Sequence, residues 1–214
     1  MNNARAFIAN ARDPCSPLSV DASRTALLLL DFHRFIVASQ SGGGENVLGA
    51  TDSLRSWARS RGILVVHCLI DLKAVTAPSR KMARRANEVR EKMNSGALEF
   101  GGEHGRIAAV ADEYVFWRPP GHVSALGSYG LKAFLSQHDI RSLLLAGFST
   151  SGCLINTAKA SADEGFIVTV VKDCCGDKSL EAHEIIMSKL LVGQAHVVDA
   201  DTLVKTWDEV GCLP

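Results

Sequence analysis

The side chains best suited to chemistry stand where apolar runs of the sequence end. Asp31 closes the run TALLLLD, Arg118 closes YVFWR, and Cys153 lies in the small-residue segment AGFSTSGCLINTAKASADEG. A cysteine in the first turn of a helix is favoured as a thiolate, because unpaired N–H groups and the helix dipole stabilise negative charge there. The same N–H groups could hold an oxyanion, a carboxylate could accept the thiol proton, and an arginine could stabilise the charge. These residues therefore predict a thiol nucleophile.

The segment around Cys153 is also compatible with two other interpretations. Gly147, Ser149 and Gly152 occupy the glycine positions of a dinucleotide-binding G-x-G-x-x-G turn, and Asp173 follows about twenty residues later, where a ribose-binding acid belongs. A serine at the middle position weakens this pattern, because the backbone must approach a pyrophosphate there. The cysteine is also compatible with an ordinary buried thiol. A serine nucleophile elbow is excluded, because its G-x-S-x-G pattern needs glycine where residue 151 is serine.

The elements that must position these residues alternate between strand and helix. Continuous apolar runs predict buried strands, and helical periodicity predicts the segments between them. The predicted strands are 25–31, 63–70, 114–117, 141–146, 166–171 and 195–198. The predicted helices are 45–61, 124–138, 151–164 and 179–191, with a short one at the C-terminus. This alternation predicts a three-layer α/β/α sandwich with a six-stranded, mostly parallel sheet, in which ligands bind at the carboxyl ends of the strands.

The composition is that of an ordinary globular protein. The chain has 214 residues, of which 47% are hydrophobic, and 23 basic side chains balance 23 acidic ones. This balance gives no indication of nucleic acid or a membrane as a partner. The sequence shows no transmembrane run and no signal-peptide pattern, and its six cysteines lack the spacing of a disulfide framework. We therefore expect a cytoplasmic protein with reduced thiols.

Residues 72–112 interrupt the alternation within what we otherwise expect to be a single domain over residues 1–214. The stretch SRKMARRANEVREKMNSG is basic and helical in pattern, and EFGGEHG is typical of a loop. One interpretation is an insertion with a solvated basic face. The other is a lid or a subunit contact over the site.

Three blocks of the sequence resemble the isochorismatase-like cysteine hydrolases, which include nicotinamidases and N-carbamoylsarcosine amidohydrolase. The blocks are TALLLLDFHRFIV, AGFSTSGCLINTAKASADEGFIVTVVKD, and EAHEIIMSKL followed by AHVVDADTL, and the similarity spans about residues 24–204. The resemblance implies a six-stranded parallel sheet and an Asp-Lys-Cys triad, of which Asp31 and Cys153 carry over by position. It also implies a cis peptide between Phe148 and Ser149, which turns the N–H of Ser149 toward an oxyanion hole shared with the N–H of Cys153.

The lysine of the triad does not carry over. The family pattern V-x-x-K-x-R-x-S-A-F meets EYVFWRPPGHVSAL here, so that counting back from the serine reaches Pro120 and counting forward from the strand reaches Arg118. We assign Arg118, because it keeps a cation at the strand end, although arginine cannot shuttle a proton as lysine does. The glutamine that follows the family aspartate is His33 here. The metal-binding D-x-H of nicotinamidases becomes DLK at residues 71–73, so no metal is expected.

The resemblance implies a cofactor-independent hydrolase that cleaves a C–N bond of a small molecule through a thioester on the cysteine. His33, Phe35, Trp117 and Phe148 are the candidate substrate-binding residues. Two alternatives stay open: the same fold with vinyl ether cleavage or another non-amide conversion, and a catalytically weak binding protein. The resemblance also leads us to expect a homo-oligomer, either a dimer or a tetramer.

Overall fold

The structure is a computed structural model that describes residues 10–75, 79, 81, 83–95 and 102–211. Its strands are β1 Thr25–Leu30, β2 Leu64–Ile70, β3 Tyr114–Arg118, β4 Ser142–Phe148, β5 Ile167–Gly176 and β6 His196–Val198. Its α-helices are α1 Arg34–Ala38, α2 Glu45–Ser60, α3 Ala83–Asn94, α4 Leu131–Gln137, α5 Ile155–Asp163, α6 Leu180–Ile185 and α7 Ala200–Gly211. Single π-helical turns, Thr150–Leu154 and Ile186–Leu190, precede α5 and follow α6.

The six strands form one sheet in the order β3-β2-β1-β4-β5-β6, and every neighbouring pair is parallel. The predicted six-stranded sheet is therefore confirmed. The chain builds outward in one direction from β1 and in the other from β4. The order consequently reverses between these two strands, and ligands of open α/β sheets bind in the crevice at that point. Asp31 follows β1 and Cys153 follows β4, so both lie beside it.

The two central strands explain why their sequences are continuously apolar. Every residue of β1 and β4 is buried. Successive side chains of a strand point to opposite faces. Accordingly Leu28 and Leu30 belong to one core cluster, and Leu27 and Leu29 belong to a second. Helices therefore cover both faces of the sheet, which confirms the predicted three layers.

Several elements differ from the sequence-based prediction. The predicted helix 124–138 is divided into a 3₁₀ turn, Ala125–Gly127, and α4, because Gly130 adopts a left-handed φ of 79° between them. Strand β5 continues to Gly176, with a register shift against β4 after Leu145. The predicted end of this strand at residue 171 is therefore wrong, since the longer strand includes Cys174 and Cys175 and buries both thiols.

Part of the predicted insertion folds as a helix. Helix α3 occupies Ala83–Asn94, within the basic stretch. Residue Glu103 then forms an antiparallel bridge with His33, just beyond the end of β1. The described residues do not include the two ends of the chain, 1–9 and 212–214. They also leave out positions 76–78, 80, 82 and 96–101 of the predicted insertion. None of the described helices has the length and apolar character needed to cross a membrane.

Candidate active site

A buried ion pair joins the ends of β1 and β3. Arg118 Nη1 donates to Asp31 Oδ1 at 2.9 Å, and Nη2 donates to Asp31 Oδ2 at 2.5 Å. The two residues are 1% and 3% exposed, so the pair is almost fully removed from water. Asp31 has a positive φ of 56°, and its N–H donates to the carbonyl of Cys68 in the intervening strand β2. The guanidinium thus reaches past one strand to meet the carboxylate.

The third nitrogen of the Arg118 guanidinium is also engaged. Its Nε donates to the carbonyl oxygen of His122 at 2.9 Å. Burial acts to lower the pKa of Arg118, but the charges of Cys153 and Asp31 and the hydrogen bond to Asp31 outweigh it, so that the pKa lies above its usual value. The guanidinium therefore remains protonated at every working pH. It can hold and neutralise a carboxylate, but it cannot take up or release a proton.

The thiol of Cys153 lies in the π-helical turn that leads into α5. It is 4% exposed, and its Sγ lies 3.6 Å from the hydroxyl oxygen of Thr157. Burial, followed by the charge of Asp31, raises the pKa of the thiol to about 12, although Arg118 and Thr157 oppose the shift. The expected preference for a thiolate at this helix start is therefore wrong, because burial outweighs the factors that favour the charged form. The resting thiol keeps its proton.

The turn that carries Cys153 has the backbone geometry that the resemblance implies. The peptide between Phe148 and Ser149 is cis. Gly147, which precedes it, has a φ of 133°, and a Cβ at this position would lie 2.1 Å from the carbonyl oxygen of Leu30. Only glycine fits there, because β4 passes so close to β1. The N–H of Gly152 donates to the carbonyl of Ser149 at 3.0 Å and closes the turn.

A carboxylate that sequence reasoning missed also fixes this turn. Asp177 Oδ2 accepts the N–H of Ser151 at 2.7 Å, and its Oδ1 accepts the N–H of Ser179. Burial tends to raise the pKa of Asp177, but these hydrogen bonds lower it below its usual value. Asp177 follows the true end of β5. The sequence signal for Asp177 is its position as a charged residue at a strand end. It could not be recognised because the apolar run stops at residue 171, where the strand was predicted to end.

A cavity of about 410 Å³ opens over the ion pair and the thiol. Its wall contains Asp31, Arg118 and Cys153 together with Ser149, the predicted oxyanion residue. Apolar and small side chains complete much of the wall, namely Phe35, Ile36, Ile70, Leu72, Ala86, Val89, Pro120 and Val123. Two of these come from α3, so that helix borders the cavity. The size and the mixed lining suit a small molecule with a few polar groups.

The four candidate substrate-binding residues lie in different environments. Phe35 lines the cavity. His33 is fully buried, and its Nε2 accepts the N–H of Ile70 at 3.1 Å. Phe148 is a core residue whose ring packs edge-on against a neighbouring phenylalanine, and Trp117 is 44% exposed on the edge strand. The described wall of the cavity thus includes one of the four, and a substrate contact by the other three stays a prediction.

Three ionisable residues of the described cavity wall were not among the predicted site residues. They are His122, Asp177 and Lys178. His122 belongs to the segment WRPPGH, in which the sequence departs from the family pattern, and that departure was the available signal. Lys178 follows Asp177 directly, and its side chain is exposed. Their placement at the cavity depends on how the loops after β3 and β5 fold back, which no local pattern encodes.

The described residues give no support to a dinucleotide or a metal at this position. The carboxylate of Asp173, the proposed ribose partner, accepts the N–H of Ala200 at the start of α7. The middle position of the turn is Ser149, preceded by a cis peptide. Within the described part of the chain, no group of three or more His, Cys, Asp or Glu side chains is arranged to hold a metal ion.

The all-parallel sheet and the pocket at its switch point define a Rossmann-like α/β protein with a thiol, a carboxylate and a cation in one cavity. The model of the isochorismatase domain matches residues 25–202, and the chain belongs to this family. The chain is 28% identical over 166 residues to maleamate amidohydrolase of Pseudomonas putida, covering 75% of this chain and 76% of that protein.

Solved structures share the fold at lower identity. A cysteine hydrolase from Pseudomonas syringae pv. phaseolicola superposes with a TM-score of 0.70 at 12% identity, covering 89% of this chain and 95% of that one. An isochorismatase family protein from Burkholderia thailandensis superposes with a TM-score of 0.68 at 17% identity, covering 87% and 96%. The recognised family and the α/β fold are therefore confirmed.

Proposed function

We propose that this protein is a hydrolase that cleaves the C–N bond of a small amide through a thioester on Cys153. The observation that carries the proposal is the meeting of Asp31, Arg118 and Cys153 in the wall of one cavity. Membership of the isochorismatase family and the amidohydrolase relative support a hydrolase acting on C–N bonds. The cysteine nucleophile and the thioester are our inference from the site.

The reaction begins with a neutral thiol. Because the pKa of Cys153 is raised to about 12, the thiolate must form as the substrate is attacked, with Asp31 as proton acceptor. Sulfur then bonds to the amide carbon, and the carbonyl oxygen becomes an oxyanion held by the N–H groups of Ser149 and Cys153. Collapse of this intermediate breaks the C–N bond, and the amine leaves with a proton. Water then cleaves the thioester and restores the thiol.

Arg118 acts in this scheme as a fixed charge. Its two hydrogen bonds to Asp31 hold the carboxylate in one orientation beside the sulfur. When Asp31 takes the thiol proton, the positive charge of the guanidinium remains next to the new thiolate. Since interaction energy between charges is large in a buried site, this charge stabilises the thiolate as it forms. The cation is thus electrostatic support rather than a proton carrier.

The polar end of the cavity favours a substrate that carries a carboxylate. Lys178 lies in the cavity wall, and the guanidinium of Arg118 is already occupied by Asp31. An anionic group that enters the cavity would therefore meet the lysine ammonium. Maleamate, the monoamide of a small dicarboxylic acid and the compound that names the relative, fits this requirement and the volume of the cavity. It is the first compound to test.

The test compares the wild-type protein with Cys153→Ala. We expect wild-type protein to release ammonia from maleamate, and Cys153→Ala to lose all measurable turnover. Mass spectrometry of acid-quenched reactions should find an acyl adduct on the peptide that contains Cys153. Turnover retained without the cysteine would instead favour chemistry led by Asp31. Binding without turnover by either protein would favour the catalytically weak binding protein.

A further inference from the structure

The proposed reaction leaves one task without an assigned group. The departing amine needs a proton, and the water that cleaves the thioester must lose one. In the family pattern a lysine stands beside the aspartate, but here Arg118 cannot exchange its proton. Both carboxylate oxygens of Asp31 accept hydrogen bonds from that guanidinium, and in the proposed reaction Asp31 exchanges its proton with the sulfur of Cys153. A second proton-exchanging group on the open side of the cavity would complete the reaction.

The described wall of the cavity offers few candidates. Its titratable side chains, besides Asp31, Arg118 and Cys153, are His122, Asp177 and Lys178. Asp177 accepts two backbone N–H groups, and these hold its pKa below the usual range, so it stays an anion. Lys178 is the group that pairs with the substrate carboxylate in the proposed function. Histidine is the side chain that exchanges a proton near neutrality.

The backbone of His122 is tied directly to the catalytic pair. Its carbonyl oxygen accepts Arg118 Nε at 2.9 Å, and its N–H donates to the carbonyl of Pro119 at 3.2 Å. Gly121 has a φ of 90° in this turn, which brings the chain back over the strand end. The side of the imidazole that carries Nδ1 lies against Gly127, where an added Cβ would be 3.0 Å from that nitrogen. The backbone of His122 is therefore fixed at the guanidinium, its ring lies against Gly127, and the residue is exposed in the cavity wall.

We propose that His122 is the catalytic residue that passes protons to the leaving group and from water, the task for which arginine is unsuited. This inference rests on the proposed thioester route. The protonated imidazole gives its proton to the nitrogen as the C–N bond breaks, and the neutral amine leaves. The neutral imidazole then takes a proton from the water that attacks the thioester carbon. When the C–S bond breaks, the sulfur recovers its original proton from Asp31, and the product is the carboxylic acid.

The proton balance closes over one cycle. Asp31 receives one proton from Cys153 and returns it, and His122 gives one proton and regains one from water. The net reaction is amide plus water to acid plus amine. The scheme needs the charged imidazole for acylation and the neutral imidazole for deacylation. It therefore requires a group that changes charge at the working pH, which fits a histidine and excludes an arginine.

The experiment uses p-nitrophenyl acetate, whose phenolate leaves without a proton. In His122→Gln, acylation should continue, while deacylation should slow by about 100-fold. We therefore expect one equivalent of p-nitrophenolate to be released rapidly, followed by slow turnover, with an acetyl adduct on Cys153 detected by mass spectrometry. The activity of His122→Ala should be partly restored by added imidazole. His138→Gln, which changes an exposed histidine at the C-terminal end of α4 and outside the described cavity wall, is the matched control and should behave as wild type.

The outcomes separate the two proposals. Wild-type steady-state turnover in His122→Gln, or failure of imidazole to restore His122→Ala, would overturn the role of His122 while leaving the thioester route intact. Absence of an acetyl adduct on Cys153 in wild type and in both His122 variants would contradict the thioester route itself. An adduct that accumulates only in the His122 variants supports both.

Discussion

Among the described residues, two sets of opposite charges are buried, and one of the two faces the cavity. The first is the pair of Asp31 and Arg118. The second, which we call the His67 cluster, consists of His67, Glu103, Glu113 and Arg55. His67 Nδ1 lies 2.6 Å from Glu103 Oε1, and its Nε2 lies 3.1 Å from Glu113 Oε2. Arg55 donates from Nε and Nη2 to the two oxygens of Glu113 at 2.7 and 2.5 Å.

The His67 cluster closes on itself and on nearby backbone. Glu103 Oε2 accepts the N–H of Ala109 at 3.2 Å, and Glu113 Oε2 accepts the N–H of Val110 at 3.0 Å. Burial tends to raise the pKa of Glu113, but Arg55 and the backbone donor lower it below its usual value. The cluster joins β2 and α2 to the segment that follows α3. The described cavity wall contains none of its members.

The pair of Asp31 and Arg118 has similar burial but a different neighbour. Beside it lies a thiol that keeps its proton because the pKa of Cys153 is raised to about 12. The cavity admits a reactant to that thiol and to the carboxylate. Burial of charge therefore does not by itself mark an active site in this fold. The pair that we propose as catalytic differs from the His67 cluster because it lies next to a thiol and in the wall of the cavity.

The largest effect should come from Asp31→Asn. This change removes the proton acceptor and leaves the Arg118 guanidinium buried without its counter-ion. Turnover of maleamate should fall by about 1000-fold, and the free energy of unfolding should fall by about 3–5 kcal/mol. Steady-state kinetics and urea denaturation measure the two losses. Loss of stability with full turnover would show that Asp31 is a structural acid like those of the His67 cluster.

The second effect should be confined to stability. Glu113→Gln removes the carboxylate that joins Arg55 to His67, and the free energy of unfolding should fall by about 3 kcal/mol. Turnover per folded molecule should change by less than about threefold, because the cluster does not reach the cavity. The matched control is Asp112→Asn. This neighbouring acid pairs with Arg59 in an exposed bridge, whose loss should leave the free energy of unfolding nearly unchanged. A large fall in turnover for Glu113→Gln would contradict the division between the two sets.

The sequence predicted the sheet well, because a strand that is buried on both faces has a continuous run of apolar residues. The apolar runs of β1 and β4 located both central strands, and the charges that follow them located Asp31 and the turn of Cys153. The end of β5 could not be predicted in the same way. Lys172 and Asp173 are exposed and interrupt the apolar run, although the strand continues beyond them into buried Cys174. Propensity could not show that pairing with β4 resumes after the register shift.

The sequence predicted the site residues that lie at strand ends, but not those that lie in the loops. Arg118, Asp31 and Cys153 stand at strand ends, and parallel strands bring their carboxyl ends to one edge. His122 and Lys178 depend on loops that fold back over that edge, so that their distance from the thiol has no counterpart in sequence spacing. The state of the thiol was mispredicted for a related reason. A helix start favours the thiolate, but the burial that reverses this preference arises only from the assembled cavity.

A smaller effect on stability should distinguish arginine from lysine at position 118. Arg118→Lys restores the residue type of the family triad, but a lysine cannot donate in parallel to both oxygens of Asp31. We expect the free energy of unfolding to fall by about 1–3 kcal/mol, since hydrogen bonds to a charged partner are lost in a buried site. Unfolding by urea measures this loss. An unchanged stability would indicate that the bidentate geometry contributes little to holding the pair.

The smallest effect is on the pH dependence of stability and measures the contribution of the Cys153 thiol. Burial raises the pKa of Cys153 to about 12, whereas an unfolded cysteine ionises near its ordinary value of about 8.5. Between these values the unfolded chain has lost a proton that the folded chain keeps. The contribution of this thiol to stability is thus fully present below the unfolded pKa and declines as the pH rises above it. From about pH 8 to pH 10 the decline should be about 1–2 kcal/mol.

Cys153→Ala should remove this part of the alkaline decline. The comparison is between the slopes of unfolding free energy against pH, because the substitution also changes packing. Urea denaturation in the presence of a reductant, at several pH values in that range, gives the slopes. Cys15→Ala is the matched control, since Cys15 is exposed and its loss should leave the slope unchanged. An equal slope in wild type and Cys153→Ala would mean that the pKa of the thiol is the same in the folded and the unfolded chain, and a steeper decline in Cys153→Ala than in wild type would mean that the thiol is already ionised in the fold. The resting site would then hold a thiolate, Asp31 would have no proton to accept from it, and the catalytic pair would differ from the His67 cluster only in its access to the cavity.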